Sequence, residues 1–470
     1  MRFYSDLECF DSNIAIIDEY DNNITYRELA KLADDFAKII KSNIRELVFI
    51  FCENKMEPLI GYIGCLRNDI VPLLLDANID LKLAEKLIKL YKPSYIYIPE
   101  MMHKSFDDTK IVSANKNYIL KQTNFNVTHK LNENLALLLT TSGSTGSPKL
   151  VRQSADNICS NAQSIAEYLE ITEKEMPITS LPMNYTYGLS VINSHLTKGA
   201  TILLTNKSIV ERAFWDLLKK YRATSLAGVP YTYEILKKIR FFRMNLPTLK
   251  TLTQAGGKLG YDLTEEIGKY CKRNNMKFFV MYGQTEATAR MGYLPWQYAI
   301  SKCGSMGVAI PGGKFWLEDN GHIIQKSNVS AELVYKGPNV TLGYAESIED
   351  LALGDENNGV LKTGDIAKID EDGFYYIVGR IKRFIKIFGN RVNLDEVEQL
   401  LKSKGYECAC GGKDDKMTIA VVNCANEKEL KNYIATKLKF SLTAFKIISV
   451  NEIPKNESGK TLYSKLFKEE

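Results

Sequence analysis

The chain lacks most of the marks that would assign it quickly. Its nine cysteines, an odd number, form no Cys-x-x-Cys pair, and only Cys408 and Cys410 lie close together. That pattern argues against a disulfide framework or a structural zinc, and it predicts a reducing, cytoplasmic setting. The four histidines (His103, His129, His195 and His322) are spread along the chain, which disfavours a multi-histidine metal site. No apolar run reaches the roughly 18 to 20 residues of a membrane span. The first residues, MRFYSDLECF, show no basic stretch followed by an apolar core, so no signal peptide is expected. No repeat of roughly 20 to 50 residues is evident. Net charge is only +5, too little to imply nucleic-acid binding.

What charge there is sits unevenly. From Ile381 to the end, 17 basic residues face 12 acidic ones, so this stretch holds the whole excess. It reads either as a solvated lysine-rich surface or as a face for an acidic partner or anionic cofactor. At 470 residues, with 45% apolar and 25% charged, the chain is a globular protein too long for one ordinary core. Thr25 and Glu28 make a capping box before Leu29, Leu32, Phe36 and Ile39, which predicts an amphipathic helix. Leu47–Cys52, Leu135–Leu139 and Phe278–Met281 read as buried strands. Ile158, Ala162, Ile165 and Leu169 share a helix face. Strands alternating with helices predict α/β layers with largely parallel sheets. Asp370 to Gly373 reads as a turn and Phe374–Val378 as a strand. A boundary follows near Gly379–Lys382, dividing residues 1–380 from a small domain at 381–470.

Thr140 to Lys149, TTSGSTGSPK, follows an apolar run and suits phosphate. Small residues let backbone N–H groups approach an anion, hydroxyls add donors, and Lys149 adds charge. No Gly-Lys-Ser/Thr ends the loop, so it is not a Walker P-loop. Four further segments accompany it: Tyr282-Gly-Gln-Thr-Glu286, Thr363-Gly-Asp365 ahead of Gly379-Arg380, Ile385 to Val392, and Pro454 to Lys460. Tyr282 offers a face to a base, Thr285 a hydroxyl to a phosphate oxygen, and Glu286 a hard carboxylate to Mg²⁺. Asp365 and Arg380 can both bond a ribose. Lys460 can neutralise charge at an attacked phosphorus.

In this order the segments resemble the adenylate-forming (AMP-binding) superfamily: acyl-CoA synthetases, adenylation domains of peptide synthetases, and luciferases. The likeness runs from about Ile24 to Lys460 and includes Ala255-Gly-Gly257, Glu332 to Pro338 and Leu342-Gly-Tyr344. It implies a large N-terminal domain of layered sheets with flanking helices, and a small mobile α+β lid. It also implies two steps. A carboxylate attacks the α-phosphorus of MgATP to give an acyl-adenylate and pyrophosphate, and a thiol then displaces AMP. By the same resemblance, Thr141, Ser142, Gly143, Ser144, Thr145, Gly146 and Lys149 hold the β- and γ-phosphates. Ala255, Gly256, Gly257 and Tyr282 line the adenine, with Gly283 and Gln284 in the same nucleotide-binding segment. Thr285 touches the α-phosphate, Glu286 holds Mg²⁺, and Asp365 and Arg380 hold the ribose. Lys460 bridges carboxylate and α-phosphate, Lys382 is the hinge, and Gly389 leaves room for the thiol arm.

Leu181 to Val191 matches the helix start that lines the acyl pocket, with Tyr185 at the aromatic or histidine gate. Gly188 stands where amino-acid-activating members carry an Asp, so the resemblance implies an acid without a conventionally paired α-ammonium. Asp156, Glu234 or another carboxylate is the alternative partner, and Tyr231 and Tyr233 are further pocket candidates. No signature for CoA is legible, and the basic C-terminal segment suits an acidic phosphopantetheinylated carrier protein. The expectation is transfer to a carrier thiol, with free CoA as the alternative acceptor. Two other readings are an enzyme that stops at the adenylate and a nucleotide-binding regulator without catalysis.

Overall fold

The computed structural model of the chain describes residues 2–40, 42–115, 117–125, 127–140, 149–424, 426–455 and 461–467. Residues 141–146 of the proposed phosphate loop, and Lys460, lie outside the described residues. Two units divide the chain: Met1–Lys314 with Tyr335–Leu361, and Phe315–Val334 with Lys362–Glu470.

The first unit is built on two large sheets. Within a nine-stranded sheet, six neighbouring strands run parallel, in the order Lys277–Tyr282, Thr251–Gln254, Ser225–Gly228, Pro177–Ile178, Ile202–Leu204, Ile14–Asp18. An eight-stranded sheet has Leu135–Thr140, Val71–Asp76, Leu47–Cys52 and Tyr95–Pro99 as its parallel centre. Side chains that alternate along a strand go to opposite faces. Val48, Ile50 and Cys52 accordingly join Ile16, Ile202 and Leu204 of the other sheet in one core, while Leu47, Phe49 and Phe51 pack outward. Helices Tyr26–Ile40, Met56–Arg67, Ala155–Tyr168 and Thr186–Leu196 contribute to that shared core and lie between the sheets. Both faces of each parallel centre are covered, which is why these strands read as unbroken apolar runs.

The capping box forms as expected: Thr25 N donates to Glu28 Oε2 at 2.8 Å and Glu28 N to Thr25 Oγ1 at 3.2 Å. The buried stripe of that helix differs from the expected one. Tyr26, Leu29, Ala30, Ala33, Ala37 and Ile40 are buried, whereas Leu32 and Ile39 are exposed. The reason is close packing. A Cβ on Gly64 of helix Met56–Arg67 would lie 2.4 Å from the Ala33 carbonyl oxygen, so small residues face each other and larger ones are displaced outward.

The second unit holds most of a five-stranded sheet, in which Val360–Ile369 pairs antiparallel with Tyr375–Arg380. The turn at Asp370–Gly373 is made by Asp370, whose carboxylate accepts from Phe374 N at 2.9 Å. Beyond it come a hairpin, Phe384–Ile387 with Asn390–Asn393, and a three-stranded sheet carrying helices Leu394–Lys402 and Glu427–Leu438. Phe388 and Gly389 form the hairpin turn with φ of 49° and 79°, the pair of positive values that a two-residue turn requires.

Candidate active site

In-register parallel strands bring their C-terminal ends to one edge. Gly228 pairs with Gln254, and Gln254 with Val280. The segments that follow, from Val229, Ala255 and Gly283, therefore emerge side by side, where open α/β sheets bind ligands. Ala255–Gly257 is held by Gln254, whose Nε2 donates to the carbonyls of Gly257 at 2.8 Å and Ala255 at 3.2 Å. Gly256 takes φ +83°, and a Cβ there would lie 2.6 Å from the Tyr185 hydroxyl. Tyr185, the expected gate, thus stands directly against the expected adenine loop. Burial raises its phenol to about 12, partly offset by the charge of Arg290.

The segment after Lys277–Tyr282 doubles back sharply. A Cβ on Gly283 would fall 1.6 Å from the Ala289 carbonyl oxygen, so only glycine lets the chain fold over itself. Gln284 Nε2 donates to the Tyr282 hydroxyl at 3.3 Å. Thr285 is buried and opens a 3-10 turn, Thr285–Ala287. The turn is tied down from another element: Thr341 donates through both N and Oγ1 to the Glu286 carbonyl, each at 3.0 Å. Asn339 Nδ2 donates to the carbonyls of Ala287 at 2.7 Å and Arg290 at 2.9 Å.

Tyr344 joins two residues that are far apart in sequence. Its hydroxyl donates to Glu286 Oε1 at 2.7 Å, and Lys149 Nζ lies 3.6 Å from its ring centroid. Lys149 also pairs with Glu346 Oε1 at 3.2 Å. Burial, and then the Glu286 charge, push the Tyr344 phenol above its ordinary range, so it stays a donor. Strand Leu150–Ser154 positions Lys149: it pairs antiparallel with Leu135–Thr140 on one side and Gly343–Ala345 on the other. The sequence shows a helix after the loop but not this intervening strand, which is short and half polar.

In the second unit Asp365 and Arg380 are direct cross-strand partners, with Arg380 Nε 3.2 Å from Asp365 Oδ1. Lys382 lies in the 3-10 turn Ile381–Arg383. Its neighbour Arg383 is held by Asp395 and Glu398, and its guanidinium carbon lies 4.0 Å from the Tyr463 ring centroid.

Gly188 is buried in helix Thr186–Leu196, and a Cβ there would lie 2.2 Å from the Pro182 carbonyl oxygen. Packing therefore excludes any side chain at that point. Asp156 pairs with Arg2 at the surface and Glu234 is exposed, so neither supplies a buried carboxylate in its place. Tyr231 is exposed, while Tyr233 is core and donates to the Thr253 carbonyl at 2.9 Å. Tyr344 was named from the sequence only as the end of the family-like stretch Leu342-Gly-Tyr344, with no role given to it, and Gln254 and the buried Arg290 were not singled out. Of those two, Arg290 carries a local signal, a charge inside the otherwise small and apolar run Ala287–Leu294.

Among the described residues no group of three or more acidic, cysteine or histidine side chains could hold a metal ion. Glu286 fits a different arrangement. Tyr344 occupies Oε1, and Oε2 remains a hard oxygen for Mg²⁺, which binds through one or two carboxylates, phosphate oxygens and water. No helix among the described residues is long and apolar enough to cross a membrane.

Residues 5–345 match the family model described as AMP-binding enzyme. A 2-succinylbenzoate–CoA ligase of Bacillus licheniformis is 29% identical over 71% of this chain and 70% of its own length. An oxalate–CoA ligase of Arabidopsis thaliana is 28% identical over 69% of this chain and 65% of its own. O-succinylbenzoate coenzyme A synthetase (MenE) from Bacillus subtilis, solved with ATP and magnesium ion, has a TM-score of 0.81 at 22% identity, covering 99% of each chain. ATP-bound MatB from Rhodopseudomonas palustris has a TM-score of 0.80 at 21% identity, covering 99% of this chain and 98% of that one. These likenesses account for the layered α/β fold with its smaller C-terminal part. The chain belongs to the AMP-binding enzyme family and is an ATP-dependent, AMP-forming acid–thiol ligase.

Proposed function

We propose that the chain activates a carboxylic acid without a conventionally paired α-ammonium and transfers it to coenzyme A. In the first step a carboxylate oxygen bonds to the α-phosphorus of ATP and the bond to the bridging oxygen breaks, releasing pyrophosphate. In the second, the thiol sulfur bonds to the acyl carbon, its proton passes to solvent, and AMP leaves.

The observation that carries this reading is Tyr344. It gathers Glu286 and Lys149, the residues the family resemblance assigns to Mg²⁺ and the terminal phosphates, within one hydrogen bond and one ring contact. Glu286 would hold a Mg²⁺ ion, and that ion would supply charge neutralisation at the phosphate oxygens of the nucleotide. Lys149 releases Glu346, an exposed partner, when phosphate arrives, and Tyr344 fixes the rotamer of Glu286 throughout. Thr285 and Tyr282 serve the α-phosphate and adenine, Ala255–Gly257 the base, and Asp365 with Arg380 the ribose. Lys382 is the pivot between residues 1–380 and 381–470, and Lys460 bridges carboxylate and α-phosphate.

The acceptor reading departs from the sequence expectation. A basic C-terminal segment alone favoured a carrier protein, but it is equally a solvated surface. The relatives quoted above are named as CoA ligases, and that favours free CoA. Gly188 supports the absence of ammonium recognition, because no carboxylate can be built there.

ATP–pyrophosphate exchange against a panel of fatty, aryl, hydroxy and amino acids tests the first step. Exchange is expected with an acid lacking an α-amino group, and AMP release with that acid should then depend on CoA. Exchange confined to α-amino acids, or release that ignores CoA but follows an acylated carrier, would overturn the corresponding half of the proposal.

A further inference from the structure

Asn54 stands where the two large sheets meet. It follows strand Leu47–Cys52, at the same edge of the eight-stranded sheet as the end of Leu135–Thr140. Its carboxamide is fully engaged. Oδ1 accepts from Met183 N at 3.0 Å, and Nδ2 donates to the carbonyls of Leu181 at 3.1 Å and Thr205 at 3.2 Å. Two acceptors and one donor around it fix which way the amide faces. Asn54 N donates in turn to Asn206 Oδ1 at 2.8 Å. The residue is also held from behind. The buried Tyr118 hydroxyl accepts from Glu53 N at 3.2 Å and donates to the Phe51 carbonyl at 3.0 Å.

Leu181 and Thr205 follow neighbouring parallel strands of the nine-stranded sheet, Pro177–Ile178 and Ile202–Leu204. Leu181 to Tyr185 is the stretch that brings the gate into place. Tyr185 N donates to the Pro182 carbonyl at 3.1 Å, a turn that leads into helix Thr186–Leu196. That turn sets the local bend but not its place relative to the sheets, and the Tyr185 side chain gives the helix no cap. Among the described residues, Asn54 alone hydrogen-bonds this stretch from a distant part of the chain. Its hold at Met183 falls just ahead of Tyr185, whose hydroxyl lies against Gly256. The adenine loop has a separate anchor in Gln254.

We propose that Asn54 is a positioning residue of the acid-activating reaction. By pairing with the backbone of Leu181 and Met183 it sets the Tyr185 gate against Gly256, and so aims the incoming carboxylate at the nucleotide. The inference rests on the acid-activating reading above and concerns how that site is held. Because Gln254 anchors the adenine loop independently, losing the Asn54 bonds displaces the acid and leaves the nucleotide in place. A displacement of about 1 Å at a reacting group is enough to slow a reaction about a hundredfold.

The test is pyrophosphate exchange on Asn54→Ala, varying ATP and the acid that the wild type uses best in separate series. The kcat/KM for the acid should fall about 10- to 100-fold, while KM for ATP stays within about twofold of wild type. Asn206→Ala removes the adjoining bond to Asn54 N without touching Leu181 or Met183, so its kcat/KM should stay near wild type. Should Asn54→Ala fail to fold, Asn54→Asp keeps the shape and the acceptor for Met183 N but loses the donor. It should show the same acid-selective loss. An unchanged kcat/KM for the acid in the Asn54 variant would overturn the proposal. So would a parallel rise in both KM values, or a matching loss in Asn206→Ala, because either marks a residue that only joins the sheets. Exchange by the wild type with no acid at all sinks instead the activity on which the inference rests.

Discussion

His195 shows how burial converts a common residue into a pH-dependent element of stability. Burial holds its imidazole down at about 4; the Val191 carbonyl opposes the shift and the Arg290 charge adds to it. In the unfolded chain the ring titrates near its ordinary value of about 6.5. Between those limits the unfolded state binds the extra proton, so stability is full above pH 6.5 and declines as pH falls towards 4. The loss across that window is about 3 kcal/mol. Urea unfolding of the wild type and His195→Asn at pH 7 and pH 4.5 checks this: the variant should lose less stability on acidification, and equal losses would contradict the assignment. Gly188 is a second single-residue lesson. The sequence presents it as a missing carboxylate, whereas the structure presents it as a contact with the Pro182 carbonyl that admits no side chain. Both readings exclude an aspartate there, but only the second supplies the steric cause.

At the scale of elements, the second unit contains an ion cluster that ties its turn, helix and C-terminal segment together. Arg383, in the 3-10 turn, reaches Asp395 and Glu398 of helix Leu394–Lys402. Glu398 is buried and also accepts from Cys410 N at 2.8 Å and the Tyr463 hydroxyl at 3.2 Å. Removing one partner from such a cluster leaves an uncompensated buried charge. Arg383→Met is expected to destabilise this unit by about 3–5 kcal/mol, read as a lower midpoint in chemical denaturation. Tyr463→Phe keeps the ring under the guanidinium and removes one donor, so its cost should be nearer 1 kcal/mol, a typical single hydrogen bond. Comparable losses in the two variants would show that packing rather than charge holds the cluster. The element-level surprise in the first unit has a simpler origin. Helix Tyr26–Ile40 meets Gly64 through alanines, so the buried stripe follows small residues and not the largest apolar ones.

For the molecule as a whole, the two-step reaction distributes its work unequally over the chain. Lys460 belongs to the second unit and Glu286 to the first, and the proposed chemistry assigns Lys460 to adenylate formation alone. Lys460→Ala should therefore lower pyrophosphate exchange by about 100- to 1000-fold, the usual loss for one charge-stabilising donor. Thioester formation from a preformed acyl-adenylate should remain within a few-fold of wild type. Equal loss in both half-reactions would contradict the assignment of Lys460 to one step.

Much of this protein was legible in its residues. Unbroken apolar strands, the Thr25–Glu28 box and the Asp370–Gly373 turn are set by local chemistry: side-chain alternation, a reciprocal cap, a carboxylate that accepts from its own turn. The motif segments, too, point to the proposed chemistry, because each uses residue types suited to phosphate, ribose or a hard cation. What the tertiary structure decided are the meetings of distant residues. Tyr344 reaches Glu286 across 58 positions, and Arg290 lies beneath Tyr187 and beside His195. Those contacts depend on strand order and on which face each helix presents, and neither is encoded in any one segment. A buried cation can be recognised as such only once the surrounding elements have packed, because its burial and its want of a partner are properties of the folded chain.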